Sequence, residues 1–284
     1  MNAATDIATA EKPTVTLQSW SLWMRQIRAI FRLEMRKNFL GKRSFLIYLL
    51  ALAPIPLFLG LALIPPTRDF SKLGYIFAGI YGALILRTVI FFGCAWVFMN
   101  LFRGELVDRS LHFYFLAPVR REVLIAGKYV SGIVTSAILF TATTIVCMLL
   151  LYFPNFLSAS TRFFFDGPGL GQLLTYAGIT ILACIGYGAF FLVVGLFFRN
   201  PIIPALFLYG WEWINFLLPP LLKKISVIHY LNSLSPIQVS QGPLAVIVEP
   251  TPAWIAVPSL LVVTALVLLA AGYRIRHLEI RYGD

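Results

Sequence analysis

The sequence predicts an all-α, polytopic membrane protein, and three observations lead there. Of its 284 residues, 59% are hydrophobic and only 12% charged, with a mean hydropathy of +0.83, whereas soluble domains run at roughly 25% charged. A soluble fold of this length could not cover its surface with so few ions. Six stretches are apolar for long enough to cross roughly 30 Å of hydrocarbon at 1.5 Å per residue. Finally, Lys and Arg flank these stretches instead of forming a solvated basic domain. The net charge of +11 therefore marks membrane topology and excludes nucleic acid as the partner.

Taken in chain order, residues 1–19 are a polar N-terminal tail without an apolar h-region, so no cleavable signal peptide is expected. Residues 20–43 contain "WSLWMRQIRAIFRLEMRKNF". At 100° per residue, Trp20, Trp23, Met24, Ile27, Ile30 and Phe31 form one stripe, and Arg25, Arg28, Arg32 and Arg36 form another. An aromatic face opposite a basic one suits an interfacial helix among anionic headgroups, with membrane lipids as its partner. Glu34 breaks the pattern by projecting from the apolar stripe. Lys37, one turn on, is a weak partner for it, and contact with a partner protein is the sharper expectation.

The six-helix transmembrane domain covers 44–273, with spans at about 44–64, 75–101, 124–153, 170–198, 201–222 and 253–273. Backbone polar groups in lipid must be satisfied internally, so each span is read as a helix. "FFRNP" separates the fourth and fifth spans by a tight turn. The connection at 65–74 is too short for a domain, and "FFFDGPG" within 154–169 reads as an ordered turn. In 223–252, apolar pieces broken by Pro236 and Pro243 suggest short interfacial or re-entrant helices. Residues 274–284 form a tail. With the N-terminus inside, 17 Lys and Arg lie on the cytoplasmic side and five outside. The positive-inside rule therefore puts both termini in the cytoplasm. Cys94, Cys147 and Cys184 all fall in apolar runs and are read as small packing residues.

Two charges remain within spans: Arg87 in "GALILRTVIFFG" and Glu212 in "LYGWEWINF". Each costs about 2.5–3.5 kcal/mol at a helix centre, so neither should face lipid. Their similar depth allows a mutual ion pair or a role in a transport pathway. Trp211, Trp213 and Tyr209 surround Glu212, and ordinary helix packing accounts for such a cluster.

The densest mixed-charge stretch is "FRGELVDRSLHFYFLAPVRREVLIAGKYV", Phe102 to Val130. Glu105, Asp108, Arg109 and His112 share one face of a helix expected at about 104–117, which Pro118 stops. A four-residue turn could have joined the two spans. Acids facing an anionic leaflet are unfavourable, so the mixed-sign face fits docking onto a soluble partner.

The pattern Asp108, Ser110, Leu111, Pro118, Val119, Arg121, Gly127, Lys128 resembles the type-two ABC exporter permease family. So do the "RLEMRK" elbow, the short first external connection and "LNSLSPI" before the last span. The resemblance covers the whole chain. It implies a six-helix permease subunit in a plasma membrane of the bacterial type, with the elbow at 20–43 and a coupling helix at about 104–117. That helix would sit in a cleft of a separate ABC ATPase subunit. It also implies a second copy of the chain, or a related permease, as partner. Glu105, Asp108, Arg109, Ser110, Leu111, His112, Pro118 and Arg121 are the ATPase-coupling residues it implies. Two positions depart from the family pattern: Arg109 stands where Gly often precedes the Ser/Thr, and His112 where Glu often follows the Leu.

"AGKY" at 126–129 is not a nucleotide-binding loop, because no Gly lies five residues before Gly127 and no Ser or Thr follows Lys128. The chain itself is therefore not read as an enzyme and binds no cofactor, and ATP and Mg belong to the partner subunit. The alternative is a secondary transporter using Arg87 and Glu212 as an ion or proton site, although no internal repeat supports it. An intramembrane enzyme is weaker still: HExxH and GxSxG are missing, and His112 and His277 are expected inside with His229 outside. No catalytic residue and no metal site are assigned.

Overall fold

The computed structural model describes residues 20–41, 44–63, 69–107, 121–152, 157–198, 200–239 and 250–276. Among these residues the chain is helical, with no strand. The elements are α1 (Trp20–Leu40), α2 (Ser44–Leu52), α3 (Ile55–Ala62), α4 (Phe70–Ile80), a π-helical stretch (Tyr81–Ile90), α5 (Phe91–Val107), α6 (Arg121–Tyr152), α7 (Leu157–Phe165), α8 (Gly169–Phe197), α9 (Ile202–Ile214), a 3₁₀ turn (Asn215–Leu217), α10 (Pro220–Lys223), α11 (Val227–Ser233) and α12 (Ala253–Arg276).

Five helical segments are long and apolar enough to cross a membrane: Ser44–Ala62, Phe70–Leu101, Glu122–Tyr152, Gly169–Phe197 and Ala253–Tyr273. The chain is an integral membrane protein on this ground. The stretch expected as a fifth span, 201–222, is shorter in the structure. Its apolar helix covers Ile202–Leu217, about 24 Å of rise, and then breaks. Leu218 is extended, with φ −72° and ψ 149°, as a residue before proline must be, and Pro219 and Pro220 follow it.

Other boundaries follow local chemistry. Asp69 caps α4 by accepting from the backbone N–H groups of Ser71 (3.0 Å) and Lys72 (3.3 Å). The first span is interrupted at Ala53–Pro54, where Pro54 opens α3. The helix expected at about 104–117 was read as separate from the second span, but α5 continues through Gly104 to Val107. One glycine costs about 1 kcal/mol in a helix interior and does not by itself end the helix. The turn expected in "FFFDGPG" occupies Asp166–Pro168, with a further helix, α7, before it. Phe163 of α7 lies against both Phe70 and Tyr152, at 5.0 and 5.2 Å, and those two rings are 6.2 Å apart, so the three form a triangular aromatic cluster. The tail at 1–19 and the stretches 42–43, 108–120, 240–249 and 277–284 lie outside the described residues.

The core is built from α5, α6 and α8. α5 runs parallel to α8, since Phe91 meets Phe191 while Met99 meets Gly195, and antiparallel to α6, where Gly93 meets Phe140 and Phe98 meets Gly132. Phe98 is fully buried between Gly132 of α6 and Gly188 of α8. A Cβ on either glycine would stand 2.6 or 2.5 Å from its ring. Close approach over small residues is how helices associate where water supplies no drive. Several polar side chains find partners within the bundle. Thr135, Ser136, Thr143 and Thr144 donate to carbonyls four residues back, and Tyr81 Oη lies 3.0 Å from Thr180 Oγ1.

Gly188→Val forces Phe98 from its slot and should lower stability by about 1–3 kcal/mol, the usual range for overpacking. Gly178→Val, where nothing stands within 4 Å, should leave the unfolding midpoint unchanged. Thermal unfolding of both variants in detergent checks the pair.

Candidate functional site

Two arrangements of charge stand out, at different levels of the bundle. The first involves Glu34. This residue sits on the inner face of α1 with Ile30, and both are buried, Glu34 to 3% exposure. The reason is α6, which runs beside α1 in the same direction. Ile30 fills the space above Gly127, where a Cβ would stand 3.0 Å from Ile30 Cγ2. Further along, Asn38 Nδ2 donates to Thr135 Oγ1 at 3.4 Å. Between these contacts, Lys128 Nζ donates to Glu34 Oε1 at 2.8 Å and to the Leu101 carbonyl of α5 at 2.8 Å. Lys128 has no solvent exposure. Lys37, half exposed, approaches the same carboxylate oxygen at 3.7 Å.

This corrects the expectation that Glu34 awaits a partner protein. Its carboxylate faces inward, because only an acid there can match an ammonium that α6 carries into the interior. On the other side of α1, Arg25, Arg28, Arg32 and Arg36 are exposed.

The second arrangement holds the two intramembrane charges. Both are buried, Arg87 to 8% and Glu212 to 2% exposure, so neither faces lipid. The charges of Arg87 and Glu212 act on each other, and the carboxylate of Glu212 also takes hydrogen bonds from the start of α11. Ser226 Oγ donates to it at 2.6 Å, and the backbone N–H groups of Val227 and Ile228 donate at 3.2 and 3.1 Å. Glu212 thus satisfies the first N–H groups of α11 and holds that helix against α9. Arg87 lies in the π-helical stretch, with its guanidinium carbon 5.8 Å from the centroid of the Trp213 ring, a cation–π contact.

Arg87 and Trp213 line a cavity of about 340 Å³ between the Ala78–Arg87 segment and residues 231–239. Asn232, Ser235 and Gln238 add polar groups to it. Gln238 Nε2 donates to the carbonyls of Asn232 (3.3 Å) and Ser235 (3.1 Å), and Ser235 Oγ donates to the carbonyl of Ile237 (3.0 Å). The 232–238 wall is therefore tied to itself. A second cavity of about 480 Å³ lies among α2, α5 and α9, lined by apolar side chains such as Leu50, Phe92, Met99 and Leu206.

Of the residues expected to couple to an ATPase, Glu105 lies in the last turns of α5 and Arg121 opens α6. Asp108, Arg109, Ser110, Leu111, His112 and Pro118 lie outside the described residues. Sequence reasoning missed the role of Lys128, although a lone cation within an apolar span and a lone acid on an apolar stripe were both visible. It also missed the cavity-lining place of Asn232, Ser235 and Gln238, although the first two fall within "LNSLSPI".

His229 of α11 is buried, with Nε2 3.1 Å from Thr251 Oγ1. Burial, then the charges of Lys223 and Lys224, push its imidazole below the ordinary value. Above that ordinary value, near 6.5, it is neutral in both folded and unfolded chains and makes no pH-dependent contribution. As the pH falls from there toward the lowered folded value, the unfolded chain takes up the proton first, and stability drops. The unfolding temperature of the native chain should therefore fall relative to His229→Gln between about pH 7.5 and about pH 5.5.

For the buried pair, Lys128→Met strands Glu34 with Lys37, and Glu34→Leu strands Lys128. Each should cost about 3–5 kcal/mol, and the double variant less than either, because no charge is left uncompensated. A double-variant cycle in thermal unfolding measures this.

No family model, curated protein or solved structure matches the chain.

Proposed function

We propose that the chain is the transmembrane permease subunit of an ATP-driven exporter of the type-two ABC kind, moving an amphiphilic substrate. Its six spans comprise the five long helices and the shorter Ile202–Leu217, with both termini cytoplasmic and α1 as the elbow. Two copies, or this chain and a related permease, enclose the path, and each docks an ATPase subunit through the segment around Glu105–Ala117. ATP and Mg belong to that subunit.

The observation that carries this reading is the junction at Lys128. The segment between α5 and α6 leaves from Val107 and returns at Arg121. Close to both ends, one ammonium joins α5, α6 and α1 through Leu101 and Glu34. A push delivered to that segment therefore reaches three helices together, as a coupling helix requires. The alternative, a secondary transporter using Arg87 and Glu212, has less support. Glu212 is held by three hydrogen bonds to the start of α11, an arrangement suited to a fixed structural charge.

Purification of the tagged chain from native membranes should bring with it a soluble ATPase. Glu105→Lys combined with Asp108→Lys should abolish that association while the permease still inserts. Transport by the reconstituted pair should need ATP and ignore a pH gradient. Transport by the chain alone, driven by a pH gradient, would establish the secondary transporter instead.

A further inference from the structure

We infer that the 340 Å³ cavity beside Arg87 binds an anionic amphiphile, a phosphate or carboxylate head on an apolar tail. Its role as the exporter's substrate site rests on the function proposed above.

The volume falls within the range of small-molecule pockets. Arg87 is the one charged residue among those lining it, so its guanidinium is the charged group that a ligand there would meet. A guanidinium is expensive to carry in a membrane-spanning helix, and its planar fork matches phosphate and carboxylate oxygens. The Trp213 ring fixes its orientation. Asn232 makes the facing wall polar, with Ser235 and Gln238 bonded to that wall's own carbonyls, while Leu86, Leu231 and Ile237 offer apolar surface to a tail.

The helical wall is shaped to leave this space open. Gly79 and Gly82 both line the cavity, and nothing stands within 4 Å of a Cβ built on either. Side chains there would project into the void without meeting the protein. Arg87 itself belongs to the ten-residue π-helical stretch Tyr81–Ile90. Such geometry is unfavourable over more than a turn and is found at functional sites.

The test uses the full chain in nanodiscs of zwitterionic phosphatidylcholine, with bromododecyl phosphate as the probe. The readout is quenching of Trp213 fluorescence, taken as the difference from Trp213→Phe. Saturable quenching is expected, weakened about tenfold or more by Arg87→Gln. Gly82→Leu and Gly79→Leu should fill the cavity and weaken it equally, at an unchanged unfolding temperature. Equal quenching by bromododecyl maltoside would overturn the charge assignment, and full binding by both glycine variants would overturn the cavity. Displacement of the probe by inorganic phosphate as effectively as by dodecyl phosphate would make this a free-anion site and overturn the amphiphile. No ATPase enters the assay. A missing ATPase partner would thus sink the transporter reading alone, and absent quenching would sink the binding site alone.

Discussion

An ammonium group with no access to solvent organises one end of this molecule. Lys128 could not stay charged in the interior without compensation, since the effective penalty for burying an ion is several kcal/mol. Glu34 at 2.8 Å and the Leu101 carbonyl at 2.8 Å provide that compensation, and they come from two different helices. The N-terminal helix is therefore not simply laid on the membrane. Its buried face is keyed to α6 through Ile30 over Gly127, Glu34 on Lys128 and Asn38 on Thr135. The remaining Arg-bearing face is exposed. The position of α1 follows from a charge that α6 carries, more than from its own amphipathic pattern.

Much of the fold was legible because hydrophobic length is a direct consequence of bilayer thickness. Four of the expected spans appear close to where the apolar runs lie, and the first appears with a break at Ala53–Pro54. The stretch 201–222 was misjudged in length because apolar composition continues through Leu217–Leu222 while the backbone cannot. Two consecutive prolines end the helix regardless of hydropathy. The π-helical stretch was not legible at all: its hydrogen-bond register depends on what Tyr81, Arg87 and Thr88 meet across the bundle. Tyr81, for example, is fixed by Thr180 and the Tyr176 carbonyl, some 95 residues away.

The charges were legible as anomalies but not as partnerships. Glu34, Arg87 and Glu212 each stood out because an apolar surrounding makes an ion expensive. Which group would answer each one was a question of tertiary distance. Lys37 was the local candidate for Glu34, yet the shorter contact comes from 94 residues away. Arg87 was the obvious counterion for Glu212 and its charge does act there, but backbone N–H groups at the start of α11 and the Ser226 hydroxyl also bind the carboxylate. A helix start offers several donors at once, and a carboxylate can accept them together. The result leaves the two intramembrane charges with separate tasks: Glu212 anchors the segment after the short helix, and Arg87 faces the cavity.

These two levels of the bundle share one helix. Leu101, whose carbonyl receives Lys128, and Arg87, which lines the cavity, are 14 residues apart on the same continuous segment, about 20 Å of rise. Between them Phe98 is locked between glycines of α6 and α8, and Phe91 packs edge-on against Tyr187 and Phe191. A close-packed section of this kind moves as a unit, because its ring-in-groove contacts cannot slide gradually. Compliance is therefore left to the ends. At one end stands the charged junction beside the α5–α6 connection. At the other, the π-helical stretch carries Arg87 at the level of the cavity. If the connection is the point at which an ATPase acts, its displacement passes through a stiff middle and reaches the part of the helix that holds Arg87. The cavity would then change shape at the place where a bound head group would be gripped.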